Sequence, residues 1–182
     1  LNRVREELIK GSNFSRPSII EREMAEKFLS LLPQHDMIKF AKNGSVATTA
    51  AVKLSRAYTG RKIVARPYDH PFYSYDDWFI GSTDCDFGVP SEIKDMTVMY
   101  KADDLSSLEM LFQKYPNQIA CIISEPEKFN TIEPNFYDKA IELAHENGAL
   151  WVMDEMITGF KTDYPGSIKK FNAKPDLATW GK

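Results

Sequence analysis

The sequence predicts an α/β protein: a mostly parallel sheet with helices on both faces, in three α/β/α layers. Two observations carry this. Short apolar runs alternate with helix-length segments along most of the 182 residues. The runs IACIIS and ALWVMD (149–154) are continuous, as strands covered on both faces are.

The elements follow in order. RVREELIKG reads as a helix stopped by Gly11. Pro17 fits the start of a second helix, with Ile20, Met24, Phe28 and Leu31 at helical spacing and Pro33 as its end. MIKFA (37–41) reads as a short strand. NGSVATTAAVKLSRAYTG follows as a helix, with Val46, Ala50, Leu54 and Ala57 expected on its packed face and Gly60 as its stop. KIVAR (62–66) is a strand. Residues 67–91, rich in aromatics, Asp, Pro and Gly, read as one long irregular loop, and loops of that length usually serve function. TVMYK (97–101) is a strand, and DLSSLEMLFQKY (104–115) a helix capped at Asp103 or Asp104. QIACIIS (118–124) is a strand, NFYDKAIELAHENG (135–148) a helix ended by Gly148, ALWVMD a strand, and LATW (177–180) a last strand.

Composition narrows the function classes. The chain is 43% hydrophobic and 27% charged, with a formal net charge of -3. That balance favours neither a nucleic-acid nor a membrane-surface partner. No apolar run approaches the roughly 18 residues that cross a bilayer. The two cysteines, Cys85 and Cys121, form no disulfide framework, so a reducing cytoplasm is the expected compartment. No metal-ligand pattern is read.

In open α/β sheets ligands bind beyond the carboxyl ends of the strands. After MIKFA comes Lys42-Asn43-Gly44-Ser45, leading into a helix. Free N–H groups and the positive end of the helix dipole favour a phosphate there, though the same residues also make a plain helix cap. After ALWVM come Asp154 and Glu155, where a buried carboxylate needs a cation or strong donors; a structural ion pair or a cap is the other reading. Glu125-Pro126 follows QIACIIS and also reads as the mere start of a loop. After LATW come Gly181 and Lys182. A lysine in a mostly apolar site is a usable amine nucleophile, while a surface lysine is the plainer reading. An anion cradle, a carboxylate and an amine together fit one ligand, pyridoxal phosphate, whose phosphate, ring nitrogen and aldehyde need those three groups.

With these residues in view, the sequence resembles the class III (fold type I) pyridoxal-phosphate aminotransferases. It is close to glutamate-1-semialdehyde aminomutase and most similar to the branch associated with surface-polysaccharide biosynthesis. FAKNGSVATTAAVKLSRAYTGRKIV, DDWFIGST, IISEP, NGALWVMDEMITGF and PDLATWGK carry the resemblance, in this order and with Asp154 and Lys182 28 residues apart. The resemblance implies that Lys182 is the Schiff-base lysine and that Asp154 binds the pyridinium nitrogen. Met156 packs on one ring face, while Asn43, Gly44 and Ser45 hold the phosphate. Phe72 falls at the position of the aromatic stacked on the other face, with Tyr68 as the alternative, and Tyr73 falls at the following histidine position. Glu125 gives supporting contacts. Three departures bear on substrate range: Val46 where relatives carry glutamate, Tyr73 for histidine, and Lys161 for arginine.

The resemblance further implies an amino-acid donor, a carbonyl acceptor such as a sugar ketone or semialdehyde, and a homodimer. Residues 1–182 correspond to the central part of the cofactor-binding large domain. An N-terminal segment and a C-terminal small domain are expected outside it. The competing readings are an aminomutase, which returns the amine to the same substrate, and a truncated cofactor-binding fragment without catalysis.

Overall fold

The computed structural model describes residues 1–70, 72–126 and 135–182. Pro71, inside the expected loop 67–91, lies outside the described residues. The chain divides into two compact units, Leu1–Ile38 and Lys39–Lys182.

The first unit holds two helices. Helix α1 (Asn2–Ile9) carries ion pairs of Arg3 with Glu6 and Glu7 and of Lys10 with Glu7, all on its surface. Gly11 follows at φ 120°, a conformation that a side chain disfavours. Helix α2 (Ile19–Leu29) starts in a capping box. The Ser18 hydroxyl accepts from the Glu21 N–H, and the Glu21 carboxylate accepts from the Ser18 N–H. The start is therefore set by Ser18, one residue beyond Pro17.

The second unit is a five-stranded parallel sheet with helices on both faces. Its elements are α3 (Gly44–Thr59), β1 (Ile63–Pro67), α4 (Asp77–Ile80), α5 (Ser91–Lys94), β2 (Thr97–Tyr100) and α6 (Leu105–Lys114). After these come β3 (Ile119–Ser124), α7 (Phe136–Glu146), β4 (Leu150–Glu155), α8 (Ser167–Lys170) and β5 (Leu177–Trp180). The strand order is β2-β1-β3-β4-β5, every neighbouring pair parallel, so all five carboxyl ends share one edge. Side chains alternate between faces along each strand. Val64, Cys121, Ile123 and Val152 therefore join Ala51 and Val52 of α3 in one core, with Tyr73, Trp78 and Phe79. Trp151 points to the other face, where Tyr137 of α7 meets it edge-on at 6.2 Å. Among the described residues no helix is long and apolar enough to cross a membrane.

Four expectations are corrected. MIKFA forms no strand: residues 37–41 pair with no sheet edge among the described residues, and Met37 is exposed. A short apolar run becomes a strand only where an edge accepts its hydrogen bonds, and periodicity alone does not reveal that edge.

The packed face of α3 is not Val46, Ala50, Leu54 and Ala57, which are all exposed. It is Ser45, Thr48, Ala51, Val52 and Ser55. Small hydroxyl residues sit close to the sheet because their polar atoms are satisfied: Thr48 donates to the Tyr73 carbonyl at 2.9 Å and Ser55 to the Ala51 carbonyl at 2.8 Å. A hydrophobicity pattern ranks Ser and Thr as solvent-facing and so picks the wrong stripe.

Loop 67–91 is not wholly irregular, since it contains the short helix α4, and α5 begins at its last residue. Finally, β4 runs one residue past ALWVMD, so that Glu155 is still sheet and entirely buried.

Candidate active site

The site is built at the carboxyl edge from β4, β5 and the start of α3. Asp154 lies on the α3 face of β4, opposite Thr179 of β5. Both are buried, at 3% and 5% exposure. A carboxylate in such a place needs donors. The Thr179 hydroxyl donates to Asp154 Oδ1 at 2.7 Å and the Met156 N–H donates to the same oxygen at 3.0 Å. Glu155, next in sequence, points to the other face, where it accepts from the Thr158 hydroxyl and, at 2.7 Å, from the Ile168 N–H. The two adjacent acids therefore differ in role by strand alternation alone: Asp154 faces the start of α3 and Glu155 anchors a turn.

Met156 joins the other two parts. Its side chain occupies the space that a Cβ at Gly44 would need, with Cε 3.0 Å and Sδ 3.1 Å away. A Cβ at Gly181 would overlap the same sulfur. Gly44, Met156 and Gly181 thus meet around one thioether, which brings the first residue of α3 and the residue preceding Lys182 to the end of β4. Lys182 follows Gly181 with φ 53°.

The N-terminus of α3 presents its backbone donors in order. Asn43 caps it, its Oδ1 accepting from the Val46 N–H at 3.0 Å. The Ala47 N–H reaches the Asn43 carbonyl at 3.1 Å. The N–H groups of Gly44 and Ser45 precede the first intrahelical bond, as at any helix start. Ser45 Oγ accepts from the Tyr75 N–H at 3.3 Å, which leaves the hydroxyl hydrogen to be donated elsewhere.

Phe72 and Tyr73, neighbours in sequence, part company. Phe72 is 55% exposed and meets Phe79 edge-on at 5.6 Å. Tyr73 is buried, and its hydroxyl accepts from the Glu125 N–H at 2.9 Å and pairs with His70 Nδ1 at 2.6 Å. Burial pushes the Tyr73 phenol well above its ordinary range, reinforced by nearby Tyr100 and Asp154. The side chain is therefore a neutral hydrogen-bonding tie to the end of β3, while the Tyr73 backbone carbonyl accepts from Thr48 of α3. Glu125 is itself buried, and Tyr68 is exposed.

Several site residues had escaped the sequence reading. Thr179 looks like an ordinary strand residue until the β4–β5 register places it beside Asp154. His70 lies in an irregular stretch and has no motif. Arg66, buried at the end of β1, donates to the Pro67 carbonyl (2.8 Å), the Ser82 hydroxyl (2.8 Å) and the Ser82 carbonyl (2.6 Å). Its guanidinium also lies 5.0 Å from the centre of the Phe79 ring. Arg66 closes the loop that carries Phe72 and Tyr73, a role that only the fold reveals.

No family model matches the chain. Glutamate-1-semialdehyde 2,1-aminomutase of Francisella philomiragia is 34% identical over 97% of this chain and 43% of its own length. Among solved structures, the pyridoxal-phosphate internal aldimine form of the FumI protein of Sphingopyxis sp. MTA144 superposes with a TM-score of 0.87 at 28% identity, over 98% of this chain and 44% of that one. An omega-transaminase from Sphaerobacter thermophilus gives 0.89 at 25% identity, over 100% and 45%. The chain thus spans less than half the length of each of these relatives. By descent it is a homologue of glutamate-1-semialdehyde 2,1-aminomutase, and by architecture it has the α/β fold of the pyridoxal-phosphate transaminases.

Proposed function

We propose that the chain is the cofactor-binding part of a pyridoxal-phosphate-dependent aminotransferase. The observation that carries this is the meeting of Gly44, Met156 and Gly181 beside Asp154. Glycines stand at the two points where a side chain would fill the space around the thioether, and the donors, the acid and the lysine segment lie at one sheet edge. These residues fit the group. The N–H groups of Gly44 and Ser45 and the Ser45 hydroxyl would hold the phosphate at the positive end of α3. Asp154 would keep a proton on the ring nitrogen, and Met156 would cover one ring face.

Pyridoxal phosphate, when bound, supplies an aldehyde that captures amines and a protonated ring that takes up electrons from a deprotonated carbon. The rest is the work of the chain. Thr179 and the Met156 N–H fix the Asp154 carboxylate, so its charge is placed before substrate arrives. Lys182 Nζ would anchor the cofactor at its aldehyde and would serve as the general base that takes the α proton of the substrate. Phe72, exposed on the loop that Arg66 closes, is the aromatic proposed for the second ring face, with Tyr68 as its alternative. Tyr73 and Glu125 hold the loop and the end of β3 together.

The donor would be an amino acid and the acceptor a carbonyl compound. A sugar ketone is the acceptor suggested by the resemblance to the surface-polysaccharide branch, with a semialdehyde as the alternative. A cytoplasmic homodimer completes this reading. The second reading, aminomutase chemistry on a semialdehyde, is favoured by the 34% identity to the aminomutase. Assays of the full-length protein with glutamate-1-semialdehyde and with keto-sugars separate the two. The test of the common proposal is borohydride reduction after loading with pyridoxal phosphate. The expected result is a cofactor mass fixed on the Lys182 peptide, with Lys182→Ala showing neither the label nor transamination. Undiminished turnover in Lys182→Ala overturns the assignment.

A further inference from the structure

Trp180 carries the chain from β5 to Gly181 and Lys182, and residues 158–166 grip its indole. A Cβ at Gly159 would overlap the ring, lying 2.7 Å from Cζ3, and a Cβ at Gly166 would lie 2.7 Å from Cη2. Two glycines therefore let the backbone close on the indole at two separate points. The Phe160 ring stands 5.3 Å from Trp180 and 5.8 Å from Tyr164. Phe160 reaches this place at φ 60°, a conformation that bulky residues rarely adopt and that clusters where geometry is over-determined. Its N–H donates to the Pro165 carbonyl at 2.7 Å. The turn is rooted in β4, because Glu155, fully buried, accepts from Thr158 at one end and from Ile168 just beyond the other.

We infer that the 158–166 turn is a clamp that sets the backbone of the lysine-bearing segment, with Phe160 as a positioning residue for Lys182. The clamp rests on the role proposed for Lys182. It acts through the backbone: Phe160 and the two glycines fix the indole of Trp180, two residues before Lys182. Misplacing a reacting group by about 1 Å costs up to ~100-fold in rate, so a residue that never touches the reacting atoms still governs them. Phe160 is 49% exposed, and its replacement leaves the core intact.

The test compares the cofactor-free full-length protein with Phe160→Ala and Phe160→Tyr by amide hydrogen exchange. Exchange in β5 is expected to rise about tenfold in Phe160→Ala, with the amides of β3 unchanged. Phe160→Tyr keeps an aromatic ring against the indole and is expected to exchange as the wild type does. With pyridoxal phosphate added, borohydride fixation on Lys182 is expected to slow about tenfold in Phe160→Ala and to recover in Phe160→Tyr. Unaltered exchange in β5 in Phe160→Ala overturns the clamp, as does a rise spread evenly over the sheet. Failure of the wild type to fix cofactor overturns the role of Lys182 instead, and the exchange measurement still decides the clamp.

Discussion

The Thr179 hydroxyl donates to Asp154 Oδ1 across the β4–β5 register at 2.7 Å, inside a region where both residues are almost fully buried. A carboxylate at that depth is stable only while its donors stay in place. Thr179→Val keeps the shape and removes the donor. The expected loss is about 1.5–3 kcal/mol of folding stability, the usual value of a hydrogen bond to a charged group. Thr179→Ser should lose less. Urea midpoints of the three proteins check this, and a midpoint for Thr179→Val equal to the wild type would show that the pair does not matter.

Gly181 and Gly44 are small because Met156 lies against both. Gly181→Ala places a methyl on the Met156 sulfur and should destabilise the protein by about 1–3 kcal/mol through overpacking. Met156→Ala opens the space, so the double variant should recover part of that loss. A double-mutant cycle is expected to give a coupling of about 1 kcal/mol or more, since the side chains touch. Additive losses would mean that the thioether moves aside freely.

The strands and the larger helices were legible because their signals are local. IACIIS and ALWVMD are continuous apolar runs, and Asn43 and Gly60 bound α3 by their own capping chemistry. The strand-end positions of Asp154 and Lys182 were legible because each follows an apolar run that forms a strand. What was not legible depends on partners distant in sequence. The buried stripe of α3 carries Ser45, Thr48 and Ser55, whose hydroxyls are hidden only because carbonyls or N–H groups receive or supply their bonds. The pairing of Asp154 with Thr179 needs the strand register. The tie of Tyr73 to His70 and Glu125 needs the loop's path, and hydrophobic periodicity carries none of this.

The two cysteines should separate by reactivity. Cys85 is exposed, whereas Cys121 is fully buried and its thiol is pushed up to about 12, by burial first, with the Ser55 hydroxyl and Arg56 acting against it. The thiolate is the reactive form. At pH 8 a disulfide reagent should modify Cys85 at once and Cys121 only on unfolding. Simultaneous modification in the native protein would show that the sheet opens readily at β3.

Tyr73 gives a prediction in which two effects oppose each other. Its hydroxyl accepts from the Glu125 N–H and pairs with His70, so Tyr73→Phe should cost about 1–3 kcal/mol at neutral pH. The folded phenol holds its proton well above pH 10, chiefly because it is buried, while an unfolded tyrosine releases it near 10. Below about pH 10 both states are protonated and the stabilisation is complete. As pH rises further the unfolded state alone ionises, and stability falls by about 1.4 kcal/mol per pH unit for this group. Tyr100, also raised by burial, and Cys121 contribute to the alkaline loss in wild type and variant alike. The variant lacks only the Tyr73 share, so its curve of stability against pH should be shallower. The two proteins should differ most at neutral pH and converge as pH climbs past 10, and denaturant midpoints from pH 7 to 11 measure this directly. Parallel curves over that range would mean that the phenol ionises as easily folded as unfolded, and that it does not occupy the buried position between β3 and α3.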